Sequence, residues 1–254
     1  MGIQGLRQLL RQIEFADHVS CYSTIGIDGR YLLQSGADRV KHTINKIRDA
    51  GVTPFIIFDG KCPVQSSVPR PVINPTVIEK VRNDTGCVVL VADQDAGAQL
   101  SYMYGTGIIE VVLTDDTNLF LHGCARIMLD FADDGTGLTI DINNLNSVSS
   151  PLDLSTWTPL KFWEWCVMGG VSDHWAMPYG LMFRHSGEMG LVESFKYIHR
   201  FGNIECCLQD MRNNPLVVIS DSYEEDVKKC WSHLIHQPIT FIHNKLGELI
   251  FFLA

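Results

Sequence analysis

Acidic residues close one apolar run after another in the first half of this chain. Asp28 ends Ile25-Gly26-Ile27 and Asp59 ends Ile56-Ile57-Phe58; Asp93 and Asp95 follow Val88–Val91, and Asp115 and Asp116 follow Val112-Leu113-Thr114. If those runs are parallel strands, their four C-terminal ends lie along one sheet edge, where such sheets place their sites. Carboxylates gathered there suit hard cations such as Mg2+ or Mn2+, which take oxygen ligands and leave room for water and phosphate. Two such ions about 4 Å apart activate a water and stabilise the leaving oxygen of a phosphodiester. Taken singly, each acid has a plainer role, because Asp caps helices and is common in strand-to-helix loops. Capping does not require an acid on every strand, so the four together favour a metal edge.

The elements that would position these acids read as alternating strands and helices. Tyr22–Ile27 reads as a strand and Asp38–Ala50 as a helix, with Val40, Ile44 and Ile47 on one face and Gly51 as its stop. Val52–Phe58 follows as a strand, Thr76–Asn83 as a helix, Cys87–Val91 as a strand, Ala96–Tyr104 as a helix and Ile108–Leu113 as a strand. Ala125–Leu129 and Leu138–Ile142 read as two more strands around an Asp133–Gly137 turn. The order predicts an α/β fold, a mostly parallel central sheet with helices on both faces. Phe55–Phe58 and Val88–Val91 are apolar throughout, the pattern of central parallel strands. Lys61–Pro75, with Pro63, Pro69, Pro71 and Pro75, reads as an extended loop. From about Thr158 the chain turns helical, with helices over Leu160–Met168, Leu191–Phe201, Ile204–Met211 and Tyr223–Ile235, then short strands at Ile239–Ile242 and Leu249–Leu253. The expected organisation is an α/β core over residues 1–157 and a helical part over 158–254, packed as one compact unit.

Composition narrows the functional classes. The 254 residues are 46% hydrophobic and 19% charged, which excludes a disordered tail, a collagen-like repeat or a charged coiled coil. No apolar run approaches the ~18 residues of a membrane span, and no signal-peptide pattern opens the chain. A formal charge of −9 argues against a broad phosphate-gripping surface while leaving room for a small local one. None of the eight cysteines forms a C-x-x-C pair, so a zinc ribbon or thioredoxin-like redox pair has no support and a soluble, intracellular, reduced protein is expected.

The same acids carry a family resemblance. Met1-Gly2-Ile3-Gln4-Gly5-Leu6 resembles the opening of the flap endonuclease and exonuclease 1 (XPG/Rad2-type) family of structure-specific 5′ nucleases. Ile56–Gly60 resembles its second acidic motif, Val91–Tyr102 its internal motif, Thr114–Phe120 the next, and Met168–Asp173 the segment bearing the last acid. Tyr223–Phe252 is similar to the close of the exonuclease 1 catalytic domain. The match runs in order over nearly the whole chain. It implies a PIN-like nuclease fold, Mg2+ or Mn2+ as cofactor, and a metal-edge and catalytic set of Asp28, Asp59, Asp95, Asp116 and Asp173. It also implies contacts to nucleic acid from Gly2, Arg30, Gly190 and Lys196, DNA favoured over RNA, and a nuclear location.

The departures bear on catalysis. The family pattern has seven edge carboxylates, and Gly97 and Asn118 stand at two of those positions. Glycine there removes charge and ligand together, asparagine keeps an oxygen without the charge, and the second of two divalent ions suffers most. An alternative register pairs Asp93 with Asp95 and would restore one ligand. Between Asp59 and Asp95 only Lys61, Arg70, Lys80 and Arg82 are basic, and the prolines exclude a continuous helical arch. Arg30 stands where the family carries an aromatic residue. Glu188-Met189-Gly190-Leu191 and the helix over Val192–Arg200 resemble the family's helix–two-turn–helix, although Glu188 replaces a glycine and an ordinary helix pair accounts for the segment equally well.

Other motifs yield less. His233 and His236 lack the further ligands of a zinc set, Trp157, Trp163 and Trp165 read as core, and Leu249–Phe252 reads as an edge strand rather than a sliding-clamp motif. An aspartate-nucleophile phosphatase built on Asp28 would need an acid where Arg30 stands. Two readings remain: a degenerate family member that has lost most or all hydrolysis and binds nucleic acid or a protein partner, and an active Mg2+-dependent 5′ nuclease acting on branched or nicked DNA. The departures favour the first.

Overall fold

The computed structural model describes residues 5–34, 36–60, 73–149, 152–169, 182–183, 187–188 and 191–213. Gly2, most of the 61–75 segment, Asp173, Gly190, the helix over Tyr223–Ile235 and the two last strands read from the sequence lie outside them, as do His233 and His236.

Nine strands and eight helices are described: α1 (Leu6–Leu9), β1 (Glu14–His18), β2 (Thr24–Asp28), α2 (Gly29–Gln34), α3 (Ala37–Asp49), β3 (Thr53–Phe58), α4 (Pro75–Thr85), β4 (Val88–Val91), α5 (Ala96–Gly105), β5 (Val111–Leu113), β6 (Arg126–Leu129), β7 (Thr136–Asp141), α6 (Pro159–Gly169), β8 (Met182–Phe183), β9 (Gly187–Glu188), α7 (Leu191–Phe201) and α8 (Ile204–Asn213). Seven strands form one sheet in the order β1-β7-β6-β5-β2-β3-β4. The β6-β5-β2-β3-β4 pairs are parallel, and β7 runs antiparallel between β6 and β1. This is the mostly parallel α/β sheet that the strand–helix alternation predicts.

Side chains alternate across the central strands and split the core into two layers. On one face Ile25, Ile27, Ile56, Phe58, Val111 and Leu113 pack with Val40, Ile44 and Ile47 of α3 and Ile78 and Val81 of α4. On the other, Phe55, Ile57, Val112, Ile127 and Ile140 pack with Leu100 and Met103 of α5. That second cluster continues through Phe120 to Phe162 and Trp165 of α6 and Phe195 and Ile198 of α7. Trp157 stacks on Phe195 at 4.9 Å and Trp165 Nε1 donates to the Leu191 carbonyl at 2.7 Å, so both tryptophans are core residues, as the sequence implies. Among the described residues no helix is long and apolar enough to cross a membrane.

Two expectations are corrected, and one strand was not read from the sequence. Val88–Val91 is an edge strand, not a central one: Val89 is buried, while Val88 and Val91 are 41% and 42% exposed. Pro75 does not close a loop but opens α4 behind the Asn74 cap, a position where proline's missing N–H costs nothing. Glu14–His18, which shows no apolar alternation, is a strand because β7 offers it a free edge.

Candidate functional site: the carboxylate edge

The strand register assembles the edge. Ile27 of β2 pairs with Ile56 of β3 on one side and Leu113 of β5 on the other. Asp28 therefore sits beside Thr114, with Asp59 and Asp116 just beyond it. The chain builds β2, β3 and β4 outward in one direction and then returns to place β5 on the opposite side of β2. Asp28 and Thr114 thus flank the topological switch point, where open α/β sheets form their crevice.

Asp28 is satisfied on both oxygens. Its Oδ1 accepts the backbone N–H groups of Arg30 at 2.9 Å and Tyr31 at 3.4 Å, and its Oδ2 accepts the Thr114 hydroxyl at 3.0 Å. Burial, with the negative charges of Asp59 and Asp116 behind it, pushes this carboxyl up to about 7. Asp59 is equally engaged: Oδ1 accepts the Ala96 N–H at 2.9 Å and Oδ2 takes Arg30 Nη2 at 2.8 Å. Gly60 follows because the β4 exit passes so close that a Cβ there would lie 1.8 Å from the Ala92 carbonyl oxygen.

Asp95 and Asp116 each cap a helical segment. Asp95 is buried and accepts the Ala98 N–H at 3.1 Å at the head of α5. Asp116 accepts the Asn118 N–H at 2.9 Å at the head of a 310 turn over Thr117–Phe120, and its own N–H donates to the Thr114 hydroxyl at 3.0 Å. Burial raises the Asp116 carboxyl, and Asp95 adds to the effect. Asp93, the alternative partner of Asp95, is exposed.

Two residues the sequence reading passed over complete the edge. Thr114 is fully buried and links Asp28 to the Asp116 backbone; its place one residue before the Asp115-Asp116 pair was the available signal. His122 arrives through the 310 turn with no motif to announce it. Its Nε2 lies 3.7 Å from Asp95 Oδ1, and its buried Nδ1 has no hydrogen-bond partner among the described residues. The ring covers Gly97: a Cβ built there would sit 2.8 Å from Asp95 Oδ1 and 3.2 Å from His122 Cδ2.

The structure thus brings together Asp28, Asp59, Asp95 and Asp116, with Arg30 among them. Lys196 is exposed on α7, away from the buried face that α7 packs against α6 and α8. The described residues do not fit the pair of divalent ions that the resemblance implies. Asp28 and Asp59 accept protein hydrogen bonds on both oxygens, Asp59 from a guanidinium cation that stands where an ion would, Gly97 offers no ligand, and among the described residues no three His, Cys, Asp or Glu side chains converge to hold an ion.

Comparison with known proteins agrees with the fold. The XPG I-region profile matches residues 86–172, which contain Asp95 and Asp116. Exonuclease 1 of Oryza sativa subsp. japonica is 22% identical over 300 residues, covering 94% of this chain and 34% of that protein. Exodeoxyribonuclease 1 of Schizosaccharomyces pombe is 22% identical over 281 residues, covering 89% and 47%. The chain therefore spans about a third to a half of the length of these curated relatives. Among solved structures, the catalytic core of Rad2 superposes with a TM-score of 0.68 at 20% identity, covering 94% of this chain and 86% of that one. The Holliday junction-resolving enzyme GEN1, in complex with product DNA and a Mg2+ ion, superposes with a TM-score of 0.67 at 16% identity, covering 93% and 66%. Over residues 86–172 the chain is thus similar to the XPG I-region, along most of its length it is similar to exonuclease 1 proteins, and its fold is that of the Rad2 catalytic core.

Proposed function

We propose that this chain is a flap endonuclease/exonuclease 1-like domain that binds nucleic acid, DNA in preference to RNA, and has lost most or all of its phosphodiester hydrolysis. The observation that carries the reading is the filled space over Gly97. A Cβ there would press to 2.8 Å from Asp95 Oδ1 and 3.2 Å from His122 Cδ2, so a longer side chain would have to shift both, and Asp95 already meets that ring. Asn118, the other position at which the family pattern has an acid, contributes a neutral buried side chain. Two divalent ions bring four positive charges into a small volume, and an edge short of two negatives holds them poorly.

What this chain's own residues do in that reading is hold a phosphodiester backbone rather than cleave it. Several solved relatives are described as complexes with DNA, among them a Rad2 core with DNA substrate, and these motivate the choice of ligand. Gly2, Gly190 and Lys196 are the proposed contacts, the Arg30 guanidinium being engaged by Asp59. The test is fluorescence anisotropy on nicked and 5′-flapped duplexes, run beside a cleavage assay in Mg2+ and in Mn2+. The reading expects binding that weakens with salt, cleavage no faster than in a blank, and no change in binding for Asp116→Ala. Metal-dependent cleavage abolished by Asp116→Ala would establish the active-nuclease alternative. Absence of DNA binding at low salt would redirect the fold toward a protein partner.

A further inference from the structure

The carboxylate edge already contains a cation. Arg30 touches two of the acids from adjacent parallel strands: its backbone N–H donates to Asp28 Oδ1 at 2.9 Å, and its guanidinium Nη2 meets Asp59 Oδ2 at 2.8 Å. Its side chain and that of Asp59 are only 19% and 14% exposed, so solvent screens the pair weakly. The Ala96 N–H holds the remaining Asp59 oxygen at 2.9 Å, which fixes the carboxylate in the orientation that Arg30 requires. A guanidinium stays charged at any pH the fold survives, so this contact is not removed by titration.

We propose that Arg30 is a resident counter-ion that competes with divalent metal for Asp59, so that the edge is built around a guanidinium instead of an ion. A metal approaching Asp59 must break the ion pair and then face the displaced positive charge at close range, where like charges repel strongly. From the far side of the edge, the His122 ring over Gly97 denies it a compensating ligand. The combination makes Asp59 a structural anchor of α2 against β3 and the head of α5. The inference rests on reading the edge as a degenerate nuclease edge, but not on DNA binding.

The test is a calorimetric Mn2+ titration of the wild-type chain, Arg30→Gln, and the Arg30→Gln/Asp59→Asn double variant, each first checked for native circular dichroism. The expected result is weak, non-saturating heat for the wild type, a gain of tenfold or more in affinity for Arg30→Gln, and loss of that gain in the double variant. An unchanged affinity in Arg30→Gln, or tight saturable binding by the wild type, overturns the proposal. If Arg30→Gln does not fold, the wild type still decides: its Tm in several millimolar Mn2+ and in chelator should coincide, and a rise of several degrees with Mn2+ overturns the proposal. The proposed function fails separately, by metal-dependent DNA cleavage or by absence of DNA binding, neither of which this titration reads.

Discussion

Asp28 ordinarily ionises near 3.8, yet in the fold burial and the neighbouring carboxylates push it up to about 7. Between those pH values the folded protein keeps a proton that the unfolded chain has released. Asp28's contribution to stability is therefore fully present below about pH 4 and is lost as pH rises through 7, with a slope that approaches ~1.4 kcal/mol per pH unit. Asp28→Asn should flatten urea-unfolding stability between pH 4 and 7 and unfold at higher urea than wild type at pH 8. Thr114→Val should cost roughly 2 kcal/mol, because it strands both the Asp28 oxygen and the Asp116 N–H without their shared hydroxyl. It should also raise the Asp28 pKa further, which carboxyl-resolved NMR titration reads directly. The acids were legible in the sequence as strand-end residues. The hydroxyl and the imidazole between them were not, since a threonine or a histidine without ligand spacing announces nothing until the chain folds.

At the scale of elements, β3 and β4 are held close enough that Gly60 tolerates no side chain. Gly60→Ala would drive a Cβ to 1.8 Å from the Ala92 carbonyl oxygen, and the backbone on both sides would have to shift. The expected cost is about 3 kcal/mol, at the upper end of overpacking, read as a lower urea midpoint. On α7, Leu191, Ser194, Phe195 and Ile198 face the core, whereas Lys196 is exposed. If it meets a phosphate, Lys196→Ala should weaken DNA binding several-fold and reduce the magnitude of the salt slope by about 1, without changing the melting temperature. The helix over Leu191–Phe201 was readable to the residue, because its apolar face repeats at helical spacing. β4 misled because an edge strand with Val88 and Val91 exposed has the same composition as a central one; only pairing distinguishes them.

For the whole molecule, a formal charge of −9 sets the electrostatic terms of any encounter with nucleic acid. A narrow cationic footprint of one or two phosphate contacts gives a plot of log affinity against log salt with a slope of about −1 to −2. A much steeper slope would require a basic surface that the composition does not provide. The same acidity raises the importance of Arg30, which places a positive charge at the switch point of the sheet.

The sequence by itself determined the class of fold, because that depends on local signals, apolar runs of strand length and helical periodicity, and its acidic motifs carried the resemblance to the 5′ nucleases. It also showed the two departures, Gly97 and Asn118, as bare substitutions. Only the tertiary structure showed what surrounds those two positions. The register that sets Asp28 beside Thr114, the 310 turn that lays His122 over Gly97, and the reach of Arg30 across to Asp59 are contacts between residues tens of positions apart or brought together by a turn. Their energies depend on burial and distance, which spacing along the chain does not encode.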